Sequence, residues 1–279
     1  MKTPLHLTRV PLTAAGLFLG TLATLPAGEV GPMASYAPPA PDCDACNQPG
    51  FYLNAAALYL NSASERSGYD GDWDLGGRLG VGFERPDGLF YEIEGFWWEG
   101  DADNMYWPGV NYDVEHIAID FLIGDNLHCG EACLDVAFGL RYGSYERGAT
   151  SSGIDSIAGL GALAVISESY TDFDFDGWGP TIQLDGIRRL GGPWSLYGEL
   201  QQSILFGEAG GRSYGKGGAA GDTLAFISEI AAGVQYDLGA AMGGLSGAHV
   251  RLGGEAQYWS IDGNDLGLYG ASLGVGFSF

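Results

Sequence analysis

The stretch Leu268-Tyr-Gly-Ala-Ser-Leu-Gly-Val-Gly-Phe-Ser-Phe279 decides the reading of this chain. Apolar side chains fall at Tyr269, Ala271, Leu273, Val275, Phe277 and Phe279, and small ones at Gly270, Ser272, Gly274, Gly276 and Ser278. Side chains of a strand alternate between its two faces, so this segment has one greasy face and one nearly empty face. It ends on an aromatic residue.

A last strand of this pattern resembles the closing strand of bacterial outer-membrane β-barrels, whose assembly machinery reads a terminal Phe. That resemblance implies the outer membrane of a Gram-negative-type cell, contact with its lipid, and contact with the barrel-assembly machinery through the C-terminal strand. The rest of the sequence can be tested against it.

Lys2 and Arg9 precede an apolar run from Leu12 to Leu25, and Pro26-Ala27-Gly28 offers a small-residue cleavage site. Residues 1–27 therefore read as a secretory signal peptide, with an apolar core too short to span a bilayer as a helix. Beyond it there is no other long uninterrupted apolar run. Residues 28–50, rich in Pro, Ala and Gly, show no periodicity and read as a periplasmic linker. A lipoprotein anchor at Cys43 is disfavoured, because Pro-Ala-Pro-Asp precedes it and lacks the apolar residue that such a site needs. Residues 51–279 are left for a single barrel.

The chain is strongly acidic, with a formal charge of −23. Loss of Lys2 and Arg9 with the leader takes this to about −25, since residues 1–27 hold no acid. Such a surface disfavours nucleic acid and anionic headgroups as partners. Disorder is the ordinary consequence of high charge, but 46% apolar and 13% aromatic content argue against it. Glycine is abundant, 48 of 279 residues, and much of it lies inside the strand-like runs, where it normally weakens strands. A barrel wall that must stay thin on its inner face is an exception.

From Phe51 onward ten strand segments are read, at about 51–61, 73–84, 88–98, 112–123, 133–146, 174–188, 194–206, 224–238, 248–260 and 268–279. They exceed the roughly five or six residues of a soluble strand and match the nine to eleven that cross a bilayer when tilted. The fold class expected is an all-β transmembrane antiparallel up-and-down barrel of about ten strands. A twelve-strand alternative arises if Ile154–Tyr170 forms another hairpin. Alternate connections are short (Arg85-Pro-Asp-Gly88, 124–132, 189–193 and 239–247), as periplasmic turns are. The others, 62–72, 99–111, 147–173, 207–223 and 261–267, are mostly longer and acidic, as external loops are.

The faces follow the same pattern. Trp73, Leu75, Leu79, Val81 and Phe83 oppose Arg78, Gly80, Gly82 and Glu84. Aromatic residues gather at the strand ends: Phe51, Phe83, Phe90, Trp194 and Phe279 on the periplasmic side, Trp73, Trp97, Trp178, Phe206, Phe226, Tyr258 and Tyr269 on the outer side. Amphipathic rings prefer the headgroup level, so these are expected to form two girdles. A β-sandwich core would also hold aromatics, but not strands of this length.

Three stretches carry a more specific likeness: Gly139-Leu-Arg-Tyr142, then Phe175-Asp-Gly-Trp-Gly-Pro-Thr-Ile-Gln-Leu-Asp-Gly-Ile-Arg-Arg189 with Trp194-Ser-Leu-Tyr-Gly198, and Leu266–Phe279. Together they resemble the Legionella-type major outer membrane protein family, pore-forming barrels expanded in planctomycete-like bacteria. The resemblance spans about residue 51 to the end and implies a porin-like barrel. It implies no catalytic residue or cofactor, and the linker with its cysteines lies outside it.

Transport chemistry would sit on the inner face. The lumen candidates are Arg78, Glu84, Glu92, Glu94, Asp120, Asp135, Arg141, Asp185, Glu199, Glu229, Arg251 and Glu255. Acids outnumber bases, so a conducting lumen would lean towards small cationic solutes. The alternative is a barrel filled by salt-bridge networks, non-conducting, serving as an envelope anchor or surface-contact protein. Eight strands leave room only for side chains and sixteen leave a channel, so ten strands keep both readings open. A homo-oligomer is compatible with either.

Cys43, Cys46, Cys129 and Cys133 are read as disulfide partners in an oxidising compartment, with connectivity open. A zinc site is the sharper reading of two short-spaced pairs, but no His lies near Cys43 or Cys46. Asp172-Phe-Asp-Phe-Asp-Gly177 matches the first half of a calcium loop, yet its twelfth position is Gln183 and the alternating Phe reads as a strand. For an enzyme, ten-stranded outer-membrane proteases offer the pattern, with Asp and His at the external rim. Here His116, near Asp113 and Glu115, is the one His in an outer strand half, with no accompanying protease motif. The expectation is no enzyme, no metal and no cofactor.

Overall fold

The computed structural model describes residues 49–64, 69–104, 110–128, 132–156, 163–213, 216–217, 221–239, 247–261 and 264–279. The expected leader and nearly all of the linker lie outside these. The strands are β1 (Gly50–Ser64), β2 (Tyr69–Glu84), β3 (Phe90–Asn104), β4 (Val110–His128), β5 (Ala132–Ser156), β6 (Leu163–Gly191), β7 (Trp194–Gly210), β8 (Arg212–Ser213), β9 (Lys216–Gly217), β10 (Gly221–Asp237), β11 (His249–Ile261) and β12 (Asn264–Ser278). β8 and β9 pair only with each other. The remaining ten close an antiparallel barrel in which every strand pairs with its chain neighbour and β12 returns to β1. Closure removes the free edges that an open sheet exposes.

The seam is built by the stretch on which the reading began. Leu53 opposes Phe277, Ala55 opposes Val275 and Ala57 opposes Leu273 across β1 and β12, and the Phe279 amide donates to the Phe51 carbonyl at 2.8 Å. Its greasy face points outward: Tyr269, Leu273 and Val275 are exposed, while Ser272, Gly274 and Gly276 are buried within the barrel.

Barrel shear follows from the registers. Opposed residues lead from Leu58 through Gly76, Trp98, His116, Tyr145 and Phe175 to Ala209 on β7. In the other direction they lead through Ser272, Gly253 and Gly233 to Tyr197, twelve residues earlier on the same strand. A shear of that size in ten strands tilts them by roughly 40°, within the range of transmembrane barrels.

One end of the barrel carries tight turns and the other carries extended hairpins. The turn after β2 uses Pro86 to preset its first bend and Gly88, at φ 89°, to accept the left-handed conformation. The Arg85 amide donates to the Leu89 carbonyl at 2.8 Å. At the opposite end the expected long loops are largely absent, because the strands run on into them. β5 and β6 stay paired out to Ser156 and Leu163. The described parts of Ile154–Tyr170, residues 154–156 and 163–170, extend these two strands, and the described residues form a barrel of ten strands. Asp174 and Asp176 alternate on β6 with the inward-facing Phe173 and Phe175, so this half of the calcium-like stretch is continuous strand.

The outer wall is apolar. Leu75, Phe138, Leu140, Ile230, Leu252 and Leu273 are among its exposed side chains, all more than half exposed. Exposed aromatic residues collect towards each rim, with Tyr59, Trp73 and Tyr269 in ring contact at the hairpin end and Phe51 against Phe83 at the turn end. Phe90 departs from the expected girdle. It shares the inward parity of Glu92 and Glu94, is buried, and packs over Gly124 and against Leu122 and Ala137.

Candidate functional site: a layered barrel interior

All twelve charged lumen candidates lie on the inward faces of their strands, and the structure sorts the interior into three layers. Towards the hairpin end lies an apolar layer, with the buried Ser64–Asp265 hydrogen bond of 2.8 Å beyond it. Leu58, Leu60, Trp98, Val114, Tyr145, Phe175, Leu205, Ile227, Trp259, Ile261 and Leu268 come from nine of the ten barrel strands, and none is more than 1% exposed. A passage wide enough for water would expose part of this ring. His116 belongs to it: its ring meets Trp259 edge-on at 4.2 Å and Phe96 at 5.1 Å, and its Nδ1 lies 2.9 Å from the Ser144 carbonyl oxygen. Asp113 and Glu115 point out of the wall. The His–acid grouping considered from sequence does not assemble at the rim.

Inward glycines serve this filling. A Cβ at Gly143 would stand 2.6 Å from the Trp259 ring and 2.7 Å from Leu205, and one at Gly100 would stand 2.4 Å from Trp98. Towards the turn end Gly82 faces Tyr52, Gly253 faces the Tyr197 hydroxyl and Gly276 faces the His249 ring. The sequence leaves open whether the empty face makes room for a passage or for packing. The structure fills that room with large side chains, the large-against-small packing of a close-packed interior.

Below the plug lies a band of ion pairs. Arg141 is a fork on Asp120, with Nε and Nη2 each donating at 2.7 Å, and its Nη1 contacts Glu229. Arg78 stands among Glu94, Glu229, Glu255 and Glu199 at 3.4, 3.5, 3.5 and 3.8 Å, with its guanidinium 5.7 Å from the Phe96 ring. Thr181, Gln201 and Ser203 complete the band by hydrogen bonds among themselves. Charges in so dry a place survive only when compensated: Arg141 is both paired and hydrogen-bonded, whereas Arg78 is held by ion pairs at 3.4 Å or more and its Nε has no hydrogen-bond partner.

The third layer is a cup of about 250 Å³ reaching towards the turn end. Seven of the lumen acids line it, Glu84, Glu92, Glu94, Asp135, Asp185, Glu199 and Glu255, against Arg78 and Arg251. Arg251 donates to Glu199 at 2.9 Å and Gln235 at 2.8 Å while lying over the Tyr197 ring. Neutral donors serve three other acids: Tyr52 bonds Glu92 at 3.0 Å, Asn126 bonds Asp135 at 2.9 Å, and Gln183 bonds Asp185 at 2.8 Å. Asp135 and Asp185 are directly opposed across β5 and β6, and Asp185 and Glu199 across β6 and β7. Three carboxylates thus stand in one cross-strand row.

Several interior residues escaped the sequence reading. Trp98 and Trp259 follow the outward Trp97 and Tyr258, so a strict period of two places them inside. Tyr52, Gln183 and Tyr197 show the same parity signal. Of the four cysteines, Cys133 alone falls among the described residues, near the turn end of β5. No group of three or more His, Cys, Asp or Glu converges as a metal site among the described residues.

No family model matches the sequence, and no curated protein matches it. Among solved structures, the barrel is similar to the outer membrane protease OmpT of Escherichia coli, with a TM-score of 0.54 at 12% identity over 82% of this chain and 97% of that one. It also matches the translocator domain of the autotransporter NalP of Neisseria meningitidis (TM-score 0.46, 12% identity, 84% and 90% covered). The β domain of the Bordetella autotransporter BrkA matches with TM-score 0.40 and 16% identity over 82% and 99%. Identities this low speak to fold alone. The fold is that of outer-membrane β-barrels.

Proposed function

We propose that this protein is an outer-membrane β-barrel that does not conduct, closed at its hairpin end and open as an acidic cup at its turn end. Its work is then structural or a matter of surface contact, presented through the acidic extended hairpins. The observation that carries the reading is the plug of fully buried Trp98, Tyr145, Phe175, Leu205, Ile227 and Trp259, drawn from six strands into one apolar cluster, whose burial supports a closed lumen. An apolar wall banded by aromatic residues at both rims supports the membrane location, since lipid takes the place of water against those side chains. In this reading the turns lie in the periplasm and the hairpins outside.

Passive passage of small cations, which the acid-rich lumen favours, is the competing reading. It requires the apolar layer to move. An enzymatic role has less support, because His116 is packed inside the plug and away from the rim acids. The likeness to the pore-forming Legionella-type family goes with the conducting reading, whereas recognition of the last strand by the assembly machinery and pairing of Cys43, Cys46, Cys129 and Cys133 in disulfides are proposed with either. Thiol labelling of the unfolded, non-reduced protein is expected to find no free thiols, and four reactive groups would overturn the pairing.

Efflux from proteoliposomes tests the main claim. Vesicles loaded with a small monovalent cation or a small sugar are expected to leak no faster with the folded protein than with lipid alone. Rapid, protein-dependent efflux would reject the non-conducting barrel.

A further inference from the structure

We propose that the cup at the turn end is a binding site for a small linear organic cation carrying two or more amino groups. The argument starts from charge. Seven carboxylates face two arginines in the cup, and Arg78 is already shared among four acids. Among the described residues, Glu92, Asp135 and Asp185 have no arginine at ion-pair distance, and the donors bonded to them are neutral. Like charges directly opposed on neighbouring strands repel, and the row Asp135–Asp185–Glu199 places three in succession.

A second, independent observation concerns hydrogen bonding. Gln183 is 91% buried, lines the cup, and gives its Nε2 to Asp185, while its Oε1 accepts no hydrogen bond from the protein. Asp185 Oδ1 is likewise buried without a donor. Both unmet groups are acceptors beside an excess of negative charge. A buried acceptor left unpaired costs free energy, and an ammonium N–H supplies the donor and the charge together.

The spacing selects the kind of cation. The described acids converge on no common metal position. Instead they are spread along a row at about 4.8 Å per strand, which matches charges distributed along a chain better than a point charge. The cup holds the equivalent of about eight waters at ~30 Å³ each, room for one short polyamine chain. Glu84, Gly247, His249 and Ser278, near the turn ends of their strands, are among its lining residues, so a guest entering from that end does not cross the plug. The inference therefore holds whether or not the barrel conducts.

Calorimetric titration of the full-length folded protein in zwitterionic micelles tests it, with spermidine as the probe and butylamine and magnesium as controls. Saturable one-to-one binding of spermidine is expected, at least tenfold tighter than either control. Asp185→Asn, close to isosteric, is expected to weaken it at least tenfold, and Asp135→Asn serves as the second variant. Asp101→Asn/Asp113→Asn on the outer surface should leave binding unchanged. Absence of saturation, equal affinity for magnesium, or loss only in the outer-surface variant would each overturn the proposal.

Discussion

Asp120 and Arg141 face each other as directly opposed residues of β4 and β5, and the guanidinium closes on the carboxylate through two parallel hydrogen bonds of 2.7 Å. Both side chains are almost wholly buried, at 2% and 1% exposure. Planar two-point geometry of this kind is specific to arginine, and it also brings Glu229 into the same cluster.

Removing one partner is therefore far worse than removing both. Arg141→Ala leaves Asp120 buried without its cation and Glu229 with Arg78 alone, and should cost about 3–5 kcal/mol. Arg141→Met combined with Asp120→Leu and Glu229→Gln should recover most of that loss, because no charge is left stranded. Urea unfolding in bilayers, followed by the gel shift of the folded barrel, measures both. Equal losses in the single and combined variants would contradict the pairing.

The seating of Trp259 on Gly143 makes a second prediction. An alanine at position 143 puts a methyl 2.6 Å from the indole, and overpacking of this kind costs about 1–3 kcal/mol. The same change in a Trp259→Leu background should cost clearly less, since the clashing atoms are gone. A double-mutant cycle with no coupling would show that the glycine is not there to receive the ring.

The outer hairpin of β3 and β4 gives a prediction in pH. Asp101 lies four residues beyond the girdle residue Trp97 and opposes Asp113, and the hydrogen bond shared with Asp113 raises its pKa above the ordinary aspartate value. A raised carboxyl stabilises the paired form fully below its unfolded pKa, and that contribution fades as pH rises through the folded pKa. Titration of the Asp101 carboxyl carbon by NMR should give a midpoint above the ordinary value of about 3.9. Asp113→Asn should shift it, and an unperturbed midpoint in the wild type would contradict the shared proton.

Much of this architecture is legible in the sequence because a strand in a barrel has a strict period. Tyr269 to Phe279 could be assigned to lipid and Gly270 to Ser278 to the interior from alternation alone, and the twelve charged candidates follow from the same parity. Phe90 was misplaced because its position at a strand end was allowed to outweigh its parity with Glu92. The state of the lumen was illegible for another reason. Whether Gly143 leaves a gap or receives a ring depends on Trp259, four strands away round the nearer side of the barrel, and that depends on shear, which no single strand encodes. The apolar run Gly159–Ile166 suggests a further hairpin, and only the pairing of Gly153–Ser156 with Leu163–Ile166 shows that β5 and β6 themselves continue there.

Single-channel recording in planar bilayers tests the central claim most directly, with the pure folded wild type compared with Trp98→Ala/Trp259→Ala. Each truncation removes a buried ring at a cost of about 3–5 kcal/mol, so the gel shift of the folded form must first show that the variant retains its barrel. The plugged barrel predicts no discrete conductance steps from the wild type and cation-preferring steps from the double variant, whose opened layer joins the acidic cup to the outside. Discrete steps from the wild type would contradict it.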